Sequence, residues 1–181
     1  MTKDLGLSAE EAGNLYRLSS LTEDSFADQS ASMIGTLKAM NANTSTSIRY
    51  QDVMKDIGTV SKATLLSTQK FPGGIAKAAF EARKFGLSMS QLNSSSSALL
   101  DFESSIAAEM EAELLLGKDL NLDKARAAAL SNDQVTLAAE LAKNVGTAAE
   151  FTDMNVIQQE ALAKAMGMSR DELAGTLFQQ E

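Results

Sequence analysis

Three glutamates at helical steps, Glu103, Glu109 and Glu113, are the residues of this chain best placed to do chemistry. On one helix they stand at about +60°, −60° and −20° around Ile106, so they flank or enter an apolar stripe. Glutamates that project into a bundle in this way bridge pairs of metal ions, but such sites also need Glu-x-x-His pairs. The chain contains no His. That removes the pairing, together with the commonest general base and the commonest metal ligand. The reading left for Glu113 is an ion pair with Arg126 or Lys124 on the next helix, because an unpaired carboxylate in an apolar stripe is costly.

Asp119-Leu120-Asn121-Leu122-Asp123 places oxygen ligands where a calcium loop has its first, third and fifth. The position that needs Gly for the turn is Lys124, and the one that needs a bidentate carboxylate is Leu130. The segment reads instead as a connector anchored inward by Leu120 and Leu122, with Asp123 as N-cap of the following helix. Ser94 to Ser97 is a serine run, but a serine nucleophile needs a base and an oxyanion hole, and neither accompanies it. The run reads either as a small-side-chain patch that lets another helix approach or as a frayed first turn. Gly73-Gly74 lacks the Lys-Ser/Thr of a phosphate loop. The absence of Cys excludes disulfides and thiolate chemistry. No catalytic, cofactor-binding or metal-binding residue is expected, and the Met residues read as core filler.

The elements that carry these residues are helices. The chain has one Pro and eleven Gly, and its apolar content is drawn from Ala, Leu and Met, which favours helix almost throughout. No alternating run of β-branched and aromatic residues marks a strand. The fold class expected is all-α. Apolar runs stop far short of the ~20 residues that a membrane span needs. The charge is uneven: residues 1–90 hold 10 basic and 9 acidic groups, residues 91–181 hold 6 and 15, giving +1 and −9. An acidic half repels phosphate backbones, so nucleic acid is not expected as a primary ligand.

Gln91 to Leu116 contains neither Pro nor Gly. Leu99, Phe102, Ile106, Met110 and Leu114 recur within it at spacings of 3, 4, 4 and 4, one stripe of a helix about 39 Å long. It is expected to be the central member (91–116) of a compact bundle of about nine helices, stripe inward. Gly6-Leu7-Ser8, Gly86-Leu87-Ser88 and Gly167-Met168-Ser169 repeat one joint. The Gly closes a helix in the left-handed conformation, and the Ser caps the next. Glu11, Gln91 or Glu172 then completes a capping box, and Leu87 or Met168 can staple onto Leu92 or Leu173. The other helices expected are 9–19 with Ala12, Leu15 and Tyr16 inward, 25–40, 50–66, 72–85 with Pro72 in its first turn, 124–130, 135–145, 156–166 and 170–178. A polar connector (41–47) follows the second. Residues 1–181 are expected to form a single domain cut from a longer chain, divisible into 1–85 and 86–181.

The phrases GLSAEEAGNLYRLSSLT (6–22), SIRYQDVMKDIGTVSKAT (47–64), KAAFEARKFGLS (77–88), LLDFESSIAAEMEAELLLGKDLNLDKARAAAL (99–130) and MNVIQQEALAKAMGMSRDELA (154–174) cover most of the chain. Together they resemble a region of tail tape measure proteins, or tape-measure-like virion proteins, of marine tailed phages. The resemblance implies an Ala-rich helical protein without catalytic residues, made in the host bacterial cytoplasm and carried in the phage tail. Such proteins set tail length inside the tube, and some assist genome delivery. The implied partners are further copies or tail tube and assembly proteins; no binding residue carries over, because the shared phrases are packing and capping positions. Tape measures are very long and often contain membrane-spanning stretches, and this chain departs from both. One unbroken helix of the whole chain would span roughly 270 Å, and the joints interrupt it. The expectation is a non-enzymatic domain that packs in tail assembly, not the ruler segment. The alternative is a soluble adaptor that grips a peptide in a Met-lined groove.

Overall fold

The computed structural model describes residues 26–43, 48–68 and 74–180, and positions 8, 9, 12, 13 and 16. Among the described residues there are eleven helices and no strand. The chain is all-α. It divides into two compact units, Met1–Lys84 and Phe85–Glu181.

The first unit contains α1 (Phe26–Ala42), α2 (Tyr50–Thr59), α3 (Lys62–Thr68) and α4 (Gly74–Lys84). The other three pack on α4. Its buried face is Ile75, Ala76, Ala78, Ala79, Phe80 and Ala82, so small residues around one Phe let several helices approach closely. Near the end of α1, the Asn41 Nδ2 donates to the Ile48 carbonyl at 2.7 Å and its Oδ1 accepts from the Ile48 amide at 3.0 Å. Buried Asp56 of α2 takes a fork from Arg83 of α4, Nε to Oδ2 at 2.6 Å and Nη2 to Oδ1 at 2.7 Å. That hydrogen bond, with the charges of Asp56 and Asp52, holds the Arg83 guanidinium above its ordinary pKa against the effect of burial.

The helix expected over 50–66 is two helices. Val60 is extended, at φ −73 and ψ 143, and Ser61 restarts the chain by accepting the Thr64 amide on Oγ at 3.2 Å. A β-branched residue followed by a capping Ser gives the backbone a local alternative to helix. Tyr16, expected inward, is 66% exposed. Leu15, the Gly6-Leu7 half of the first joint, residues 44–47 of the connector and the Lys70–Gly73 break with Pro72 lie outside the described residues.

The second unit contains α5 (Met89–Leu100), α6 (Phe102–Leu116), α7 (Asp123–Ser131), α8 (Gln134–Val145), α9 (Ala148–Asp153), α10 (Val156–Ala165) and α11 (Arg170–Gln180). The single central helix expected over 91–116 is thus α5 plus α6, broken at Asp101 (φ −79, ψ 80). The Asp101 carboxylate accepts the Ser104 hydroxyl at 2.8 Å, and its carbonyl accepts the Ser105 amide at 2.8 Å. An Asp with those partners starts a helix more readily than it continues one. Two of the joints have the expected form. Gly86 and Gly167 take φ 72 and φ 70, Ser88 and Gln91 exchange side chain–amide bonds, and so do Ser169 and Glu172. Leu87, Leu92, Met168 and Leu173 are all buried. Helix α9, which the periodicity missed, opens on a Thr147–Glu150 capping box.

Candidate functional site

The glutamates of α6 converge on the loop that follows it. Gly117, left-handed at φ 62, ends α6, and Leu120 and Leu122 then turn inward and are buried. Their amides need acceptors, because a buried N–H without one is costly. Glu113 Oε1 accepts the Leu120 amide at 2.8 Å, and Glu109 Oε1 accepts the Leu122 amide at 2.9 Å. Asn144 of α8 secures the residue between, accepting the Asn121 amide at 2.9 Å and donating to the Asn121 carbonyl at 3.1 Å.

Behind this latch lies Arg126 of α7, which is buried. It donates to Glu109 Oε2 through Nη2, to Ser105 Oγ through Nε at 3.0 Å and to Asp123 Oδ1 through Nη1 at 3.1 Å. The ion pair expected between Glu113 and Arg126 or Lys124 is therefore made by Glu109, one helical turn earlier. Glu113 is spent on the loop amide instead. Asp123 is not the N-cap of α7 but its first residue; Leu122 holds the cap position. Asp123 has turned its carboxylate toward Arg126 rather than back to the amides. Of the residues at calcium-loop positions, Asp123 is engaged by Arg126 and Asn121 is held through its backbone by Asn144. Among the described residues no three acidic, His or Cys groups are placed to hold a metal ion.

The serine run lies well inside α5, not at its first turn. Ser95 and Ser96 are buried. A Cβ built on Gly167 would stand 2.7 Å from Ala98 Cβ and 2.9 Å from Ser95 Cα, so the run is a small-residue floor on which the α10–α11 joint rests. An open cleft of about 220 Å³ lies where α5 breaks into α6, with Ala98, Ser104, Ser105, Ala108 and Ala165 on its walls and Asp101 and Lys164 also lining it. It is smaller than most ligand sites. Its polar groups already have partners: Asp101 on Ser104, Ser105 on Arg126, and Lys164 on Glu111 at 2.8 Å.

Among the described residues of the second unit, none covers the outer face of α6. Ser105, Ala108 and Ala112 are its buried residues, and α6 runs along α10, where Ala161, Ala163 and Ala165 are buried with Leu162. The apolar stripe expected to be core points away from this contact. Leu99 is buried, but Phe102 and Ile106 are each 46% exposed, Met110 64% and Leu114 84%. The physical reason is the kink: one residue off the helical path shifts both phase and axis, so α6 does not continue the face that α5 buries. Gln158 Nε2 donates to the Leu115 carbonyl at 2.9 Å, which brings the exposed Val156 and Ile157 to the end of the same helix. No helix among the described residues is long and apolar enough to cross a membrane.

Comparison with protein-family models, curated proteins and solved structures finds no match for this chain.

Proposed function

We propose that this chain is a non-enzymatic structural domain of a phage tail protein of the tape-measure type, working by helix packing in tail assembly. It would be made in the host bacterial cytoplasm and carried in the virion. The observation that carries the packing role is the ridge Phe102, Ile106, Met110 and Leu114, four large apolar side chains left outward on a helix held from behind by Arg126 and the loop latch. A patch of that size on one helix serves contact with another surface better than it serves solubility. The tail assignment is carried by the resemblance of the five phrases quoted above. An adaptor with a Met-lined groove draws less support, since Met54, Met89, Met166 and Met168 are buried in the fold.

The test is proteomic analysis of purified tailed virions from material in which this sequence occurs. Peptides of the chain at a fixed ratio to the tube protein are expected. Their presence in infected-cell lysate and absence from virions would overturn the tail assignment.

A further inference from the structure

We infer, building on the packing role above, that the outer ridge of α6 docks a basic amphipathic helix of another protein and not a second copy of this chain. The ridge exposes roughly 500 Å² of mainly apolar side chain, at the upper end of what a monomer leaves uncovered. Its residues follow one another every fourth position, the row that fits the groove of a facing helix. Met110, near the middle, adapts its shape to what it meets.

Charge selects between the two occupants. Helix α6 carries Glu103, Glu109, Glu111 and Glu113 and no Lys or Arg. On a helical projection Glu109 and Glu113 flank the ridge on one side, with Glu103 and Glu111 toward the other. Arg126 neutralises Glu109 and Lys164 neutralises Glu111, and Glu113 is turned to the Leu120 amide, which leaves the exposed Glu103 to face a partner. The unit around them, residues 85–181, has 6 basic and 15 acidic groups, net −9. Two ridges face to face would set glutamates against glutamates, and like charges across an interface oppose association. A helix with apolar residues every three or four positions and Lys or Arg beside them matches the ridge, Glu103 and the acidic unit together.

The experiment uses the full chain and two synthetic helical peptides with the same Leu ridge, one flanked by Lys and one by Glu. Binding is read by fluorescence anisotropy, and self-association by sedimentation of the chain alone up to roughly 100 µM, ample for a micromolar dimer. Binding of the Lys peptide only is expected, with the chain monomeric. The I106S/M110S double variant should lose at least about tenfold in affinity. Glu103→Lys should weaken binding and flatten its salt dependence, while Leu130→Ser, exposed on α7, should change nothing. All these side chains are exposed, and circular dichroism checks that the variants fold. Equal binding of both peptides, or binding indifferent to I106S/M110S, would overturn the proposal. A dimer abolished by I106S/M110S would give the ridge to a second copy, ending the basic-helix proposal but keeping the packing role. No binding and no dimer would end the proposal and remove the main support for packing.

Discussion

Helices α5 and α6 follow each other across a single residue, and they bury opposite kinds of side chain. α5 buries Met89, Leu92 and Leu99 with Ser95 and Ser96. α6 buries only Ser105, Ala108 and Ala112. The difference lies in their surroundings. α5 packs against α6, α7 and α8, whereas α6 has α10 as its main neighbour and α5 only at the kink. An element enclosed on several sides draws its stability from apolar burial. One covered on a single side, through small residues, has to be held by something more directional, and in α6 that is the polar latch. The two helices should therefore fail under different mutations.

The largest effect is expected from Arg126→Ala, which strips the pairing charge from Glu109 and leaves Ser105 without its donor. Breaking a buried pair in this way costs about 3–5 kcal/mol. Urea denaturation gives the total, and hydrogen exchange should show α6 and the 117–122 loop losing more protection than α5. Equal loss in both helices would mean that the latch is not specific to α6.

Next comes Gly167→Val, aimed at α5. The valine would be strained at φ 70 and would press on Ala98 and Ser95. Strain and overpacking together should cost about 2–4 kcal/mol. Gly117→Ala at the end of α6 has a similar φ of 62 but open space around its Cβ, so only the backbone penalty of about 1 kcal/mol is expected. Thermal melts that place the two substitutions level would mean that the crossing over Ser95 is looser than its geometry.

A smaller effect separates two joints of the same build. Ser169→Ala and Ser88→Ala should each cost about 1 kcal/mol, the usual loss of an N-cap. They should differ in acid. The Ser169 backbone N–H and hydroxyl hold the Glu172 carboxyl below its ordinary value of 4.5, while the Ser88 box ends on uncharged Gln91. A lowered folded pKa gives stability that is complete above the unfolded value and lost as pH falls through the folded one. Ser169→Ala keeps the backbone N–H and removes the hydroxyl, so it should flatten in part the acid limb of the stability–pH curve below about pH 4.5, and Ser88→Ala should leave its shape unchanged.

The joints were legible in the sequence because every part of them is local. Gly, Ser and a Glu or Gln three residues on act within one turn, whatever else packs nearby. Thr147 and Glu150 carry the same signal for α9, a six-residue helix too short to show an apolar period. The inward stripe was not legible, because 100° per residue assumes an unbroken phase. Asp101 ends that phase, and its own warning was the Asp-x-x-Ser spacing to Ser104. The choice between Glu109 and Glu113 for Arg126 was beyond spacing altogether. Both lie within a turn of the same face, and the contest was settled by where the 117–122 loop brings its amides.

The smallest expected effect, that of Leu114→Ser, tests the contrast most directly when set beside Leu99→Ala. Leu99 and Leu114 belong to one stripe by sequence, yet the kink has put one in the core and the other in solvent. Leu99→Ala should cost about 2–5 kcal/mol, through lost transfer energy and the cavity left behind. Leu114→Ser removes a side chain with almost nothing packed on it, so the folded chain should stay within about 0.5 kcal/mol of its original stability. The two values come from the same denaturant titration under the same conditions. If Leu114→Ser also cost several kcal/mol, that side chain would be packed in solution, the ridge would be already occupied, and α6 would be a core helix like α5. If it costs nothing, the apolar periodicity of α6 is not explained by the stability of this fold, and a partner surface is what remains to account for it.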